Sequence, residues 1–226
     1  MSAAGKPGGF FITFEGPEGA GKSTQVHRLA ARLAEEGYVV WTTREPGGTR
    51  AGEMIRPLLL GSSATALSAW SEALLFSAAR AQLVEEVIRP RLDNGEIVLC
   101  DRYSDSTLAY QGYARGLDLS LLRRLQAAVT GELTPGLTLL LNLPVAAGLA
   151  RIPSTSKDRL DSEAVAFHER VAAGYRQMAL QEPNRWREVD ASASPDTVAT
   201  AIHREVMGSL RQAGIHPVER QSGCRS

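Results

Sequence analysis

Apolar residues in this chain follow two rhythms. Short unbroken runs, such as Phe10-Phe11-Ile12-Thr13-Phe14 and Ile97-Val98-Leu99-Cys100, alternate with stretches where apolar positions recur every three to four residues. The first rhythm suits strands buried on both faces, the second amphipathic helices. Strands are predicted over Phe10–Glu15, Tyr38–Arg44, Glu96–Asp101, Leu137–Leu143 and, on a weaker pattern, Trp186–Val189. Helices are predicted over Lys22–Glu36, Ala51–Leu60, Ser68–Asn94, Ser104–Tyr110, Leu119–Thr130, Val145–Arg151, Ser162–Gln181 and Pro195–Leu210. The longest of these is open to interruption. Strand and helix alternate, which predicts an α/β fold with a parallel sheet covered by helices.

With 226 residues the chain suffices for one domain with a substantial core. That domain is expected over residues 10–210, after a flexible start at 1–9 and before a polar tail at 211–226 that Pro217 breaks. Two stretches resist regular structure: Arg44-Glu45-Pro46-Gly47-Gly48-Thr49, after the second strand, and residues 152–159, a polar loop between two helices. Loops at the strand ends of such sheets are where ligands sit.

The 25 basic and 25 acidic residues cancel, so no basic field argues for a nucleic-acid partner. Lysine occurs only at Lys6, Lys22 and Lys157, leaving most positive charge to arginine, which suits forked recognition of phosphate. Cys100 falls in a buried strand pattern and Cys224 in the tail, which makes no disulfide framework. No apolar run approaches bilayer length and the start has no apolar signal region, so a soluble cytoplasmic protein without a membrane partner is expected.

The segment Gly16-Pro17-Glu18-Gly19-Ala20-Gly21-Lys22-Ser23 follows the first predicted strand and opens the first predicted helix. Glycines at this spacing let successive backbone N–H groups turn inward around phosphate oxygens, and the helix start adds its positive dipole end. Lys22 is placed to reach the β- and γ-phosphates and the Ser23 hydroxyl to ligate Mg²⁺. A chance match arises in on the order of one in a hundred chains this long, and the strand-before, helix-after context lowers that further. The segment predicts nucleoside triphosphate binding. Asp101 ends the third strand, where an acid beside a phosphate loop can hold Mg²⁺. Arg44 and Arg102 also stand at strand ends, suited to clamping a second phosphate-bearing molecule. Phe76 and Arg80 share a helix face, as core aromatic and solvated neighbour or as the wall of a base pocket. Arg151, Lys157 and Arg159 make the loop at 151–159 a solvated stretch or, near a triphosphate, a basic flap.

These segments together resemble the thymidylate kinases of the P-loop nucleoside-monophosphate kinase group. The resemblance rests on Phe14-Glu15-Gly16 running into the phosphate loop, Thr43-Arg44-Glu45-Pro46-Gly47-Gly48-Thr49, and Asp101-Arg102-Tyr103 through Ser106 to Ala109-Tyr110-Gln111-Gly112. Leu75-Phe76 with Arg80, Asp158-Arg159 and the helix around Phe167 and Tyr175 complete it, in family order over roughly Phe10 to Val206. It implies a P-loop three-layer fold, with a five-stranded parallel sheet between helices and a short lid at about 151–161. It also implies transfer of the ATP γ-phosphoryl group to dTMP with Mg²⁺, in a homodimer. On the donor side would stand Gly16, Pro17, Glu18, Gly19, Ala20, Gly21, Lys22, Ser23 and Thr24, with Ser23 and Asp101 toward the metal. The dTMP pocket would take Glu18, Arg44, Phe76, Arg80, Arg102, Ser106, Thr107, Tyr110 and Gln111, with Arg80 near the thymine edge. Lys22, Arg102, Arg151 and Arg159 would be the catalytic cations.

The chain departs from the family pattern in five places. Gly19 stands where some members carry an arginine, which implies the subtype whose lid supplies the catalytic cation. Its lid is shorter than that subtype's and lacks the second helical-side arginine expected there, leaving Lys157 as its substitute or as solvated charge. Asp161 replaces the usual Glu, and Asn142 the usual Asp. Three other readings remain open at this point: a kinase for another pyrimidine monophosphate, a nucleotide switch with little turnover, and a deoxynucleoside kinase using Glu15 as base.

Overall fold

The computed structural model describes residues 8–61 and 66–218. Residues 1–7 of the expected flexible start, and residues 219–226 of the expected tail with Cys224, lie outside the described residues. Five parallel strands form one sheet in the order β2-β3-β1-β4-β5: β1 (Phe10–Glu15), β2 (Val40–Arg44), β3 (Ile97–Asp101), β4 (Leu137–Asn142) and β5 (Trp186–Asp190). The predicted α/β fold and its parallel sheet are thus present. β1 sits in the middle because its side chains are apolar toward both faces. Ile12 and Phe14 pack against α1 (Lys22–Glu35) and α9 (Pro195–Gln212). Phe11 points to the opposite face with Val98 and Cys100, against Leu83, Val84 and Ile88. Parallel strands put all their C-terminal ends at one edge, and the register pairs Phe14 and Arg44 each with Asp101. Phosphate loop, Arg44 and Asp101 therefore meet there by topology alone.

The remaining helices are α2 (Arg50–Leu60), α3 (Ala69–Leu83), α4 (Arg89–Asp93), α5 (Ser104–Thr107), α6 (Leu119–Thr130), α7 (Val145–Ala150) and α8 (Val165–Gln181). The long predicted helix at 68–94 is interrupted by a widened π-helical turn over Val84–Ile88. Pro90, just beyond it, has no N–H to donate and its ring crowds the preceding turn, which favours the wider spacing there. The helix predicted over Ser104–Tyr110 runs on as a π-helical segment, Leu108–Ala114. Such wide turns concentrate at functional sites, and this one carries Tyr110 and Gln111.

One expectation is corrected at the C-terminus. The tail does not loosen at residue 211: α9 continues to Gln212, Ile215 is buried in the same core cluster as Ile12, and the Val218 N–H donates to the Gly37 carbonyl at 3.0 Å. A single isoleucine among polar residues gives no periodicity from which to read this contact. Ile215→Ala is expected to lower the unfolding free energy by about 2 kcal/mol in denaturant titrations, whereas a loose tail would leave it unchanged.

Candidate active site

At the C-terminal edge of the sheet lies a cavity of about 380 Å³. One wall is the phosphate loop, contributing Glu18, Gly19, Gly21, Lys22, Ser23 and Thr24. The loop's turns demand glycine. Gly16, Gly19 and Gly21 have φ of 139°, 68° and 87°, where side-chain-bearing residues are strained. At Gly19 space is short as well: an added Cβ would lie 2.0 Å from the Gly148 carbonyl oxygen of α7. α1 begins after Gly21 with no side-chain cap, so no side chain competes for its first-turn N–H groups.

Lys22 is buried and its Nζ donates to the carbonyls of Gly16 (3.1 Å) and Pro17 (2.8 Å), folding the loop around itself. Burial, with the nearby Arg102 cation, pulls its ammonium from the ordinary 10.5 down to about 8. The Ser23 hydroxyl donates to Asp101 Oδ2 across the gap between α1 and β3.

Arg102 joins this wall to the rest of the cavity. It is a non-glycine residue at φ 69°, so its backbone is held in the left-handed region, where strain recurs at functional sites. Its Nη2 pairs with Glu18 Oε2 at 2.7 Å, and Nη1 donates to the Gly16 carbonyl (3.2 Å), Tyr175 Oη (3.1 Å) and Ser106 Oγ (3.4 Å). Tyr110 donates its hydroxyl to Glu18 Oε1 at 2.5 Å. Burial works to raise the Glu18 carboxyl, but Arg102, Lys22 and the Tyr110 hydroxyl outweigh it and hold the group at about 2. Glu18 is thus an ionised acceptor throughout the working range.

The opposite wall carries Arg44, Phe76, Thr107, Tyr110 and Gln111, with Ser106 beside Arg102. Arg44 is steadied by Glu53 (3.0 Å), which also accepts the Gly48 N–H. Arg56 of α2 lines the cavity as well, its Nη1 donating to the Pro46 carbonyl at 2.5 Å. Burial and the neighbouring Arg44 pull its pKa down, the mark of a cation without a full set of anions. No sequence signal singles out Arg56, since one arginine on a helix face reads as solvated.

Two of the expected arginines stand elsewhere. Arg80 is 1% exposed and off the cavity wall. Its donors go to Glu45 (Nη2 to Oε2, 2.5 Å), Thr107 Oγ1 (2.9 Å), Gln126 Oε1 (2.5 Å) and the Tyr103 carbonyl (3.0 Å). It holds Thr107 of the opposite wall from behind, because Glu45 draws the guanidinium into the interior. Arg159 is likewise turned away from the phosphate loop: Nε donates to the Leu59 carbonyl (2.8 Å) and Nη2 pairs with buried Glu72. Of the lid, Arg151, Asp158 and Leu160 reach the cavity, and Arg151 Nη1 donates to the Ala191 carbonyl at 3.2 Å, with Gly19 O at 3.5 Å. Lys157 is exposed. Glu15 is fully buried and off the wall, its oxygens occupied by Tyr103 N–H (2.8 Å), Ser106 Oγ (2.6 Å) and Tyr175 Oη (2.9 Å). Burial and nearby Asp105 raise it to about 7. Asn142 turns its amide to Glu188 at 2.6 Å, outside the cavity.

The cavity thus has a phosphate loop on one side, Arg44 and Arg56 with Phe76 and Tyr110 on the other, and Arg102 joining them. A sequence model of the family described as Thymidylate kinase matches residues 14–202. The chain belongs to the thymidylate kinase family. It is 54% identical over 210 residues to a thymidylate kinase of Thermomicrobium roseum, covering 92% of this chain and 99% of that one. A thymidylate kinase of Deinococcus radiodurans is 52% identical over 195 residues, covering 86% and 94%. The crystal structure of a thymidylate kinase from Ehrlichia chaffeensis superposes with a TM-score of 0.69 at 35% identity, covering 90% and 99%. The chain is therefore a P-loop kinase that transfers the γ-phosphoryl group of ATP to dTMP, giving dTDP. Among the described residues no helix is long and apolar enough to cross a membrane.

The depressed Lys22 pKa makes a prediction. A bound triphosphate favours the charged ammonium, so ATP binding at pH 9 is expected to take up about one proton, seen as a buffer-dependent calorimetric enthalpy. Lys22→Ala is expected to abolish that uptake, and an uptake that survives the substitution contradicts the assignment.

Proposed function

We propose that ATP lies on the phosphate-loop side of the cavity and dTMP on the arginine side, with Lys22 and Arg102 between them. The observation that carries this is Arg102, which touches both the loop carbonyl of Gly16 and, through Glu18 and Tyr110, the opposite wall. Arg44, Arg56 and Arg102 hold the monophosphate. Phe76 stacks on thymine, while Thr107 and Gln111 face its edge. Glu18, kept ionised, accepts the 3′-hydroxyl, and the Tyr110 ring crowds the sugar where a ribose would carry its 2′-hydroxyl. Arg80 serves from behind by holding Thr107, while Ser106, on the wall itself, holds Arg102.

The acceptor is a phosphate oxygen, ionised near neutral pH because the second phosphate pKa is about 6. No general base is needed, and aligning two polyanions while balancing charge on the moving group suffices. Glu15 gives no support to the deoxynucleoside kinase reading, since its oxygens are already taken and it does not face the cavity. Ser23 and Asp101 offer hard oxygen donors in mutual contact, a set that fits Mg²⁺ completed by phosphates and water. Bound there, the ion would neutralise charge on the β- and γ-phosphates.

We assign the catalytic lid cations to Arg151 and Arg159. An arginine at position 19 would collide with α7, so a cation beyond Lys22 has to enter from outside the loop. Arg151 already stands at the loop; Arg159 reaches it by leaving Glu72. A homodimer is supported by apolar side chains exposed on three adjoining helices: Met54 and Leu58 of α2, Trp70 and Leu74 of α3, and Leu121 of α6. Both substrates are polyanions that do not cross a bilayer unaided, so we place the enzyme with the nucleotide pool in the cytoplasm.

In turnover assays with ATP and Mg²⁺, dTMP is expected to exceed UMP and CMP by on the order of 100-fold in kcat/KM; equal turnover contradicts the substrate assignment. Arg151→Ala is expected to lower kcat by on the order of 100-fold, and Arg159→Ala about tenfold, with the KM for dTMP little changed in both. An unchanged kcat would return either residue to a structural role.

A further inference from the structure

Glu72 lies one turn before Phe76 and two turns before Arg80 on the same face of α3, yet the reaction as described gives it no task. It is 1% exposed. Four donors converge on its carboxylate: Gln111 Nε2 at 2.7 Å, Arg115 Nε and Nη2 at 3.2 Å each, and Arg159 Nη2. Burial acts to raise its pKa, but the bonds from Arg115, Gln111 and Arg159 prevail and keep the group below the ordinary carboxylate value. An ionised carboxylate only accepts hydrogen bonds.

That restriction reaches the cavity through Gln111. An amide has one donating and one accepting end. Because Glu72 takes the NH₂ end, the carbonyl oxygen is the end left for the cavity that Gln111 lines. A flipped amide would set its oxygen against a buried anion. One turn earlier on the same segment the logic runs in reverse. Thr107 Oγ1 accepts from Arg80, which only donates, so the hydroxyl proton remains available to the cavity. Two opposite charges on α3 thus give the base-facing wall one acceptor and one donor.

Pyrimidine edges differ in this polarity. Thymine carries N3–H beside carbonyl oxygens, whereas cytosine presents a bare N3 acceptor. A fixed acceptor at Gln111 pairs with the first and opposes the second, and a site built for a hydrogen bond rejects the base that lacks it. We propose that Glu72 is a specificity-determining positioning residue, which locks the Gln111 amide so that its oxygen faces the base and cytosine nucleotides are refused. This rests on the placement of Gln111 at the base edge.

The test compares kcat/KM for dTMP and dCMP in Glu72→Gln and Gln111→Ala enzymes, with dCMP also measured as a competitor of dTMP. A neutral amide at position 72 both donates and accepts, so it no longer dictates the orientation of Gln111. Glu72→Gln is expected to narrow the dTMP:dCMP ratio about tenfold or more. Release of Arg159 would alter turnover of both nucleotides alike and cancel in the ratio. A ratio unmoved in Glu72→Gln but collapsed in Gln111→Ala overturns the role of Glu72 and leaves Gln111 at the base edge. A ratio unmoved in both variants overturns the placement of Gln111 and the proposal with it. If Glu72→Gln fails to fold, the wild-type enzyme decides by NMR. The Gln111 side-chain NH₂ protons are expected to stay protected from exchange with and without dTMP, and protection appearing only with dTMP overturns the proposal.

Discussion

The ion pair between Arg102 and Glu18 is the constraint on which the site depends. It joins the end of β3 to the phosphate loop, and each partner has a second duty: Arg102 also holds the Gly16 carbonyl, Glu18 also accepts from Tyr110. Both side chains are mostly buried, and removing one partner of such a pair typically costs about 3–5 kcal/mol by stranding the other charge. The left-handed backbone at Arg102 is the local cost of aiming its guanidinium back over the loop. The phosphate loop and the wall opposite it are therefore one electrostatic unit.

The same principle organises the wall opposite the phosphate loop. α3 is polar where an ordinary packed helix would be apolar, because Glu72 and Arg80 are buried to hold Gln111 and Thr107. Each charge is neutralised by partners from other segments, Arg115 and Arg159 for Glu72, Glu45 for Arg80. Burying charges this way is weak evidence for stability. It does fix which atoms point into the cavity.

How much of this was legible in the sequence follows from the range of the signals. The five strands and the meeting of phosphate loop, Arg44 and Asp101 could be read because a parallel sheet aligns strand ends without reference to distant packing. Phe76, Tyr110 and Gln111 came from motif resemblance and do line the cavity. Arg80 and Arg159 are expected at the cavity and stand one layer behind its wall. A charge that faces Glu45 or Glu72 looks the same in sequence as one that faces a phosphate. Arg56, Glu72 and Ile215 escaped for the same reason, since their significance lies in contacts between segments far apart in the chain.

The most direct test of the coupling is equilibrium binding of a non-hydrolysable ATP analogue to Arg102→Ala, without dTMP present. If Arg102 sustains the phosphate loop as well as the opposite wall, analogue affinity is expected to fall about tenfold, although the group we propose Arg102 to hold is the monophosphate. Unchanged analogue affinity, with dTMP binding alone impaired, would contradict the view that the two sites share one ion pair.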